Sequence, residues 1–270
     1  MNKIKLDDLE NKSIYIIREA NSQFKNIAVL WSMGKDSTTL LWLIKKAFLS
    51  RIPFCVVHID TGFKFPQMYR FRDKLAKKWR IDLVMARNEK AIKEGTSPDK
   101  DGRFSCCMKL KTEALRQCIE KYKFDALMLA IRRDEHSIRA KERYFSPRDN
   151  KFKWDYKNQP PELWNLYKTI SKEEIHHYRV HPLLHWKELD IWNYIKRERI
   201  PVNPLYFAKG NRRFRSLGCM PCTVPIESKA NSVDKIIKDL ELGLSSERKG
   251  RIQDKEKEYM MQKLRSLGYM

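Results

Sequence analysis

The chain is 270 residues long and 42% hydrophobic, enough to bury a substantial core, which excludes a small module that needs disulfide staples. Its 56 Lys and Arg outnumber 34 Asp and Glu, and the formal charge of +22 predicts a surface that attracts polyanions such as nucleotides, sulfate, RNA or an acidic partner without choosing among them. No apolar run is long enough to cross a bilayer, and six cysteines without an apolar leader predict a cytoplasmic protein whose cysteines are thiols or metal or cluster ligands, not a disulfide framework.

Residues 1–20 read as a charged helix. Residues 27–31, IAVLW, are β-branched or large and apolar, as a strand covered on both faces of a parallel sheet requires. The strand breaks into a small polar turn, Ser32-Met33-Gly34-Lys35-Asp36-Ser37, and then into a helix with apolar residues at helical spacing. This is the layout of a phosphate cradle. Gly34 lacks a Cβ, so backbone N–H groups can close on anionic oxygens, Lys35 adds a cation, and the helix aims its unpaired amides at the same anion. Ser32, Gly34, Lys35, Asp36 and Ser37 are therefore the candidate nucleotide contacts. A Walker-type loop needs Gly-x-x-x-x-Gly-Lys-Ser/Thr, which the turn does not supply. It instead resembles the Ser-x-Gly-x-Asp-Ser loop of PP-loop ATP pyrophosphatases, which cut ATP between the α and β phosphates. Taken alone, it also suits an ordinary strand-to-helix connection.

Further strands are predicted at 54–59, 83–86 and 126–130, with helices at 65–78 and 110–122 between them. Alternating strands and helices imply an α/β fold with a parallel sheet covered on its faces, and substrates at the C-terminal strand edges, where Ser32, Asp60 and Arg132 fall. The second strand ends in His58-Ile59-Asp60-Thr61-Gly62, so Asp60 and Thr61 are candidates to hold an adenosine, although the same residues make a good turn. After the fourth strand, residues 131–143 carry five basic side chains. Arg grips tetrahedral oxyanions bidentately, so Arg132, Arg133 and Arg139 are assigned to phosphate or sulfate. The alternative is a charged helix face paired locally with Asp134, Glu135 and Glu142. Residues 154–177 read as an irregular loop, 189–197 as a helix before a turn at 201–204, and 231–270 as a Lys-, Glu- and Ser-rich helical tail. His176, His177, His181 and His185 mimic a ligand spacing, but Val180, Leu183 and Leu184 among them look like core, so a structural or ribose-contacting role is preferred. The expected division is a nucleotide-binding domain over 1–200 and an extension over 201–270.

The runs SMGKDSTTLLWLIKKAF, HIDTGFKFPQMYRFRDKLAKKW, IRRDEHSIRAKERYFSPRD, WDYKNQPPELWNLY, RVHPLLHWKELDIWNYI and SSERKGRIQD, in that order, closely resemble the small subunits of heterodimeric bacterial ATP sulfurylases. These lie within the broader phosphoadenylylsulfate reductase family of PP-loop proteins. The resemblance spans nearly the whole chain. It implies a PP-loop, adenine nucleotide alpha hydrolase-like fold and the conversion of ATP and sulfate to adenylyl sulfate and pyrophosphate, the first step of sulfate assimilation toward cysteine. It further implies a large GTPase subunit as partner. On this reading residues 32–37 bind the leaving pyrophosphate, with Mg²⁺ nearby through phosphate oxygens. Lys35, Arg132, Arg133 and Arg139 carry the electrostatic work of catalysis.

Cys106-Cys107 and the later Cys219-Met220-Pro221-Cys222 resemble instead the [4Fe–4S] ligands of assimilatory adenylylsulfate reductases, and four thiolates suit a cluster or, less well, tetrahedral zinc. Cys55 and Cys118 are expected to pack as small apolar side chains. Those reductases also need a nucleophilic cysteine near the C-terminus, and no cysteine follows Cys222, so a cluster-bearing transferase is expected over a reductase. A tRNA-thiolating PP-loop enzyme is the other alternative. The basic stretches hold few aromatic residues and no RNA-binding module is appended, so nucleic acid is not expected as partner.

Overall fold

In a computed structural model, which describes residues 3–167, 174–243, 247 and 260–268, the apolar runs form a six-stranded sheet. Its strands are β1 (Ile27–Leu30), β2 (Cys55–Ile59), β3 (Leu83–Ala86), β4 (Ala126–Met128), β5 (Phe145–Asp149) and β6 (Ile175–Val180). The helices are α1 (Lys3–Gln23), α2 (Lys35–Ala47), α3 (Pro66–Trp79), α4 (Glu89–Lys93), α5 (Pro98–Cys107), α6 (Ala114–Tyr122), α7 (Ser137–Ala140), α8 (Glu188–Glu198), α9 (Val233–Glu241) and α10 (Met260–Ser266). The strand order is β3-β2-β1-β4-β6-β5, parallel throughout except for the β5–β6 pair. Order reverses at β1, with β2 on one side and β4 on the other, and this opens a crevice at the C-terminal ends of β1 and β4.

Every residue of β1 is buried, and α2 turns Leu40, Leu41, Leu43 and Ile44 into the same core. The core also takes in Tyr206, Ile236 and Ile237, so residues beyond 200 pack on the sheet domain. No helix among the described residues is long and apolar enough to cross a membrane.

The expected α/β parallel sheet is present, with β5 added antiparallel at its edge. One expectation is corrected: the loop expected over 154–177 ends in a strand, because β6 begins at Ile175. His177 and Arg179 stand opposite Arg148 and Ser146 in the β5–β6 register, so one face of this ribbon is polar. A buried polar face erases the apolar period that marks a strand in sequence. The helix expected over 110–122 is α6 preceded by a π-helical turn, Met108–Glu113, that continues directly from α5. Of the tail, α9 and α10 are described; residues 244–246 and 248–259 lie outside the described residues.

The polar face is closed by α10. Arg265 pairs with Glu142, Arg179 donates to the carbonyl of Gly268 at 2.6 Å, and Arg148 donates to Glu142 at 2.9 Å. Burial works against the Glu142 charge, yet Arg148 and Arg265 hold its carboxyl far below the usual range.

Buried histidines make the fold acid-sensitive. Burial first, with nearby lysines, pushes His58 and His185 down to about 4, and burial pushes His181 down to about 3. Their folded values lie below the ordinary value near 6.5, so their stabilisation is complete above pH ~6.5 and is lost as pH falls toward 4. Each contributes a slope of about 1.4 kcal/mol per pH unit in that window. A thermal melt series should show Tm falling continuously from pH 6.5 to pH 4.5. A flat profile there would contradict the buried neutral histidines.

Candidate active site

The turn after β1 is built for close approach. Met33 adopts a left-handed backbone, φ 58°, and Gly34 returns to extended geometry as α2 begins at Lys35 with no side chain capping it. A Cβ on Gly34 would lie 3.3 Å from Tyr206 Oη and 3.4 Å from Ser32 Oγ, so the position has little room for a side chain. The Lys35 amide donates to Tyr206 Oη at 2.9 Å, and the Ser32 and Ser37 hydroxyls lie 3.1 Å apart. A hydroxyl thus already occupies one of the helix N-terminal donors.

Behind this turn two cations are buried together. Lys35 and Arg132 are 1% and 0% exposed. Lys35 Nζ contacts Asp36 at 3.0 Å and Glu188 at 3.9 Å, and pairs with Glu247. Arg132 pairs with Asp36, with Glu247, and with Asp134 at 2.9 Å. Burial alone would lower both pKa values. Asp36 and Glu247 outweigh it and keep both groups charged, with Glu188 helping Lys35 and Asp134 helping Arg132. Arg215 anchors Glu188 at 2.8 Å, and the Glu188 amide donates to Asp134 at 2.8 Å, which ties the start of α8 to the loop after β4.

The crevice in front of these groups is lined by Ser32, Gly34, Lys35, Asp36 and Ser37, joined by Glu135 and Arg139 from beyond β4. Its walls include the apolar Val57, Ile59, Leu129 and Leu217. His58 also lines it and donates from Nδ1 to the Trp31 carbonyl at 3.1 Å, which fixes that edge of β2 to β1. One surface thus combines phosphate-type donors, cations and apolar walls, the combination that a nucleotide needs.

The structure brings Ser32, Gly34, Lys35, Asp36, Ser37, Arg132 and Arg139 to this end of the sheet. Arg139 pairs with Glu135 at the crevice wall. Arg133 is turned away, its guanidinium 5.1 Å over the Tyr144 ring. Asp60 and Thr61 sit next to the crevice-lining Ile59 but are engaged elsewhere. Asp60 accepts from Tyr69 Oη at 2.7 Å and from the Gly62 amide at 3.0 Å, and lies 3.3 Å from Arg87. Burial opposes the Asp60 charge, but those donors win and depress its pKa. Thr61 Oγ1 is 3.3 Å from Cys219 Sγ.

Cys106, Cys107, Cys219 and Cys222, all buried, line one small cavity together with Thr61, Arg103 and Lys111. Burial, then the neighbouring thiols, pushes Cys106 up to about 12, while Lys111 Nζ lies 3.5 Å from Cys107 Sγ. The cavity thus holds four thiols and two cationic side chains. Among the described residues, no group of three or more His, Cys, Asp or Glu is placed to hold a metal ion. Cys118 packs in the main core and Cys55 against it. The histidines of 176–185 serve the fold: His181 Nδ1 donates to the Arg143 carbonyl at 2.7 Å, and His185 Nε2 to that of Leu9 at 3.4 Å.

Sequence reasoning missed Tyr206, Glu188, Glu247, Lys64, Lys111 and the 216–218 backbone, all of which line the crevice or pair with its cations. Ser216–Gly218 had a signal, because they immediately precede Cys219. Tyr206 had none.

A family model, the phosphoadenosine phosphosulfate reductase domain, matches residues 26–225. The chain is 43% identical to the sulfate adenylyltransferase subunit 2 of Psychromonas ingrahamii over 98% of this chain and 97% of that protein. It is 41% identical to that of Allorhizobium ampelinum over 98% and 93%. Among solved structures, phosphoadenylyl-sulfate reductase from Candida auris, a phosphate complex, aligns with a TM-score of 0.55 at 18% identity, covering 83% of this chain and 98% of that one. Candida glabrata FMN adenylyltransferase in complex with ATP aligns at 0.58 and 19%, covering 82% and 64%, and such likenesses speak for the shared fold. With a family model covering residues 26–225 and relatives 41–43% identical over 98% of the chain, the chain belongs to the phosphoadenosine phosphosulfate reductase domain family and, within it, to the sulfate adenylyltransferase subunit 2 proteins.

Proposed function

We propose that this chain is the adenylyl-transferring subunit of a sulfate adenylyltransferase, converting ATP and sulfate to adenylyl sulfate and pyrophosphate. The observation that carries the reading is the pair of fully buried, fully charged cations, Lys35 and Arg132, set directly behind the N-terminus of α2. A sulfate oxygen attacks the α phosphorus, the bond from that phosphorus to the β-phosphate oxygen breaks, and pyrophosphate leaves with the electron pair. Sulfate is fully ionised and needs no general base, so alignment and charge supply the acceleration. Residues 32–37 cradle the departing pyrophosphate, and Lys35 and Arg132 neutralise it. Arg139, at the opposite wall, holds sulfate near the α phosphate. Arg133 stacks on Tyr144 and supports that loop. Asp60 and Thr61 brace the β2 corner against which the nucleoside lies.

Mg²⁺ enters this scheme as part of the nucleotide. A metal brought in this way is held mainly by phosphate oxygens and water. When bound, it supplies further neutralisation of the β and γ phosphates. Residues 1–200 form the nucleotide-binding unit and 201–270 the extension that closes it, in a cytoplasmic heterodimer with a GTPase subunit whose hydrolysis drives an uphill synthesis. The four cysteines share one cavity with Lys111 and Arg103 and would hold a [4Fe–4S] cluster once their thiols converge from the present arrangement, in which, among the described residues, no group of three or more is placed to hold a metal ion. Lys111 also lines the nucleotide crevice, so a cluster here would fix one wall of the site.

Anaerobic co-expression with a candidate GTPase subunit tests both parts. Sulfate- and GTP-dependent pyrophosphate release, with about four irons and four sulfides per chain, is expected. Activity without iron removes the cluster and leaves the transferase; iron without sulfate-dependent pyrophosphate release removes the transferase.

A further inference from the structure

The cradle assigned to pyrophosphate already contains an anion that belongs to the protein. Glu247, from the extension, reaches back to the start of α2 and pairs with both Lys35 and Arg132, and it lines the crevice alongside Ser32 and Ser37. Its side chain is 8% exposed. Both cations are almost fully buried, Lys35 lines the crevice beside Glu247, and Asp36, Asp134 and Glu188 hold the two from their other sides. Glu247 is therefore the carboxylate that stands where phosphate oxygens would arrive.

We infer that Glu247 is a specificity-determining residue: a tethered carboxylate that holds the pyrophosphate cradle against inorganic sulfate and phosphate and yields only to a nucleotide polyphosphate or pyrophosphate. The inference rests on the proposed function. An adenylyl transfer to sulfate needs two anion sites, and the cosubstrate must stay out of one of them. A bare Lys–Arg pair behind helix amides would bind any tetrahedral dianion and so be blocked by sulfate itself. A carboxylate on the same chain competes at an effective concentration in the millimolar range or above without being consumed. Pyrophosphate brings more charge and more oxygens to the same donors than sulfate does, so it displaces the carboxylate where sulfate fails. The cost is a reduced apparent affinity for pyrophosphate, by the fraction of molecules in which the cradle is open.

The test is calorimetric titration of the full chain, wild type and Glu247→Gln, with pyrophosphate and separately with sulfate, backed by inhibition kinetics against ATP. Glu247→Gln should bind pyrophosphate at least about tenfold more tightly. Sulfate should become a competitive inhibitor against ATP in the variant and not in the wild type. Unchanged or weakened pyrophosphate binding in the variant would overturn the inference, because Glu247 would then be neutral or a helper. If neither protein binds pyrophosphate at all, the proposed function itself fails and this inference with it, a result distinguishable from the previous one. A measurement on the unmodified protein guards against a misfolded variant. Exchange of the Glu247 backbone amide should accelerate when pyrophosphate is added and stay unchanged with sulfate; equal rates under both conditions would also overturn the inference.

Discussion

Replacement of Arg132 by alanine is expected to reduce sulfate-dependent ATP–pyrophosphate exchange by about 10²–10³-fold, the range seen when one preorganised charge donor is removed from a transition state. Arg132 is fully buried and bridges Asp36, Asp134 and Glu247, so the same change takes a counter-charge from three carboxylates, leaving Lys35 with Asp36 and Glu247 and the Glu188 amide with Asp134. A stability loss of about 3–5 kcal/mol follows from breaking such a buried network on one side. Arg132→Lys separates the two effects. It keeps the charge near the carboxylates but loses the planar fork that spans them, so most of the stability should return while exchange stays at least tenfold down. Normal exchange in Arg132→Ala would remove this residue from the reaction. Full exchange in Arg132→Lys would reduce its role to a point charge.

The second large effect lies away from the crevice. Glu142 is 1% exposed and faces Arg148 and Arg265, themselves 1% exposed, with Arg179 nearby. Glu142→Gln keeps the shape but removes the carboxylate that balances these cations. Arg148, whose pKa burial already lowers to about 10, would lose its principal counter-charge. The expected cost is about 3–5 kcal/mol, which at roughly 2–3 °C per kcal/mol for a chain of this size lowers Tm by about 10 °C. Because Arg265 is carried by α10, the variant should also release the tail earlier than the sheet unfolds, seen as amide exchange at 260–268 preceding global exchange. The double change Glu142→Gln with Arg265→Met should cost less than the sum of the two single changes. Additive costs would show that the pair does not couple, and a Tm within 2 °C of wild type would show that the cluster does not hold the tail.

The half of the molecule built from apolar runs was legible in the sequence. Strands β1 to β4 announced themselves as short buried runs, and the cradle could be read because a glycine, a lysine and two serines fall in the six residues, 32–37, that lead from the strand into the first turn of the helix. β5 and β6 were hidden for the opposite reason. Their buried face carries Ser146, Arg148, His177 and Arg179, whose burial depends on Glu142 and Arg265, 123 residues apart in sequence. The site followed the same rule. Lys35 and Arg132 could be named from local chemistry. Tyr206, Glu188 and Glu247 reach them from 171, 153 and 212 positions away, through turns and a tail that carry no periodic signal. Asp60 shows the converse: its position beside the crevice was legible, but its hydrogen bonds to Tyr69 and the Gly62 amide are set by how α3 packs.

Everything in the functional account depends on which phosphorus the crevice presents. The reverse reaction is the most direct measurement, because breaking the adenylyl sulfate anhydride runs downhill: the purified complex, supplied with adenylyl sulfate, pyrophosphate and Mg²⁺, is followed by phosphorus NMR. The account predicts that the pyrophosphate resonance is replaced by the α, β and γ resonances of ATP as sulfate is released. Persistence of pyrophosphate together with hydrolysis of added ATP to ADP and inorganic phosphate would contradict it.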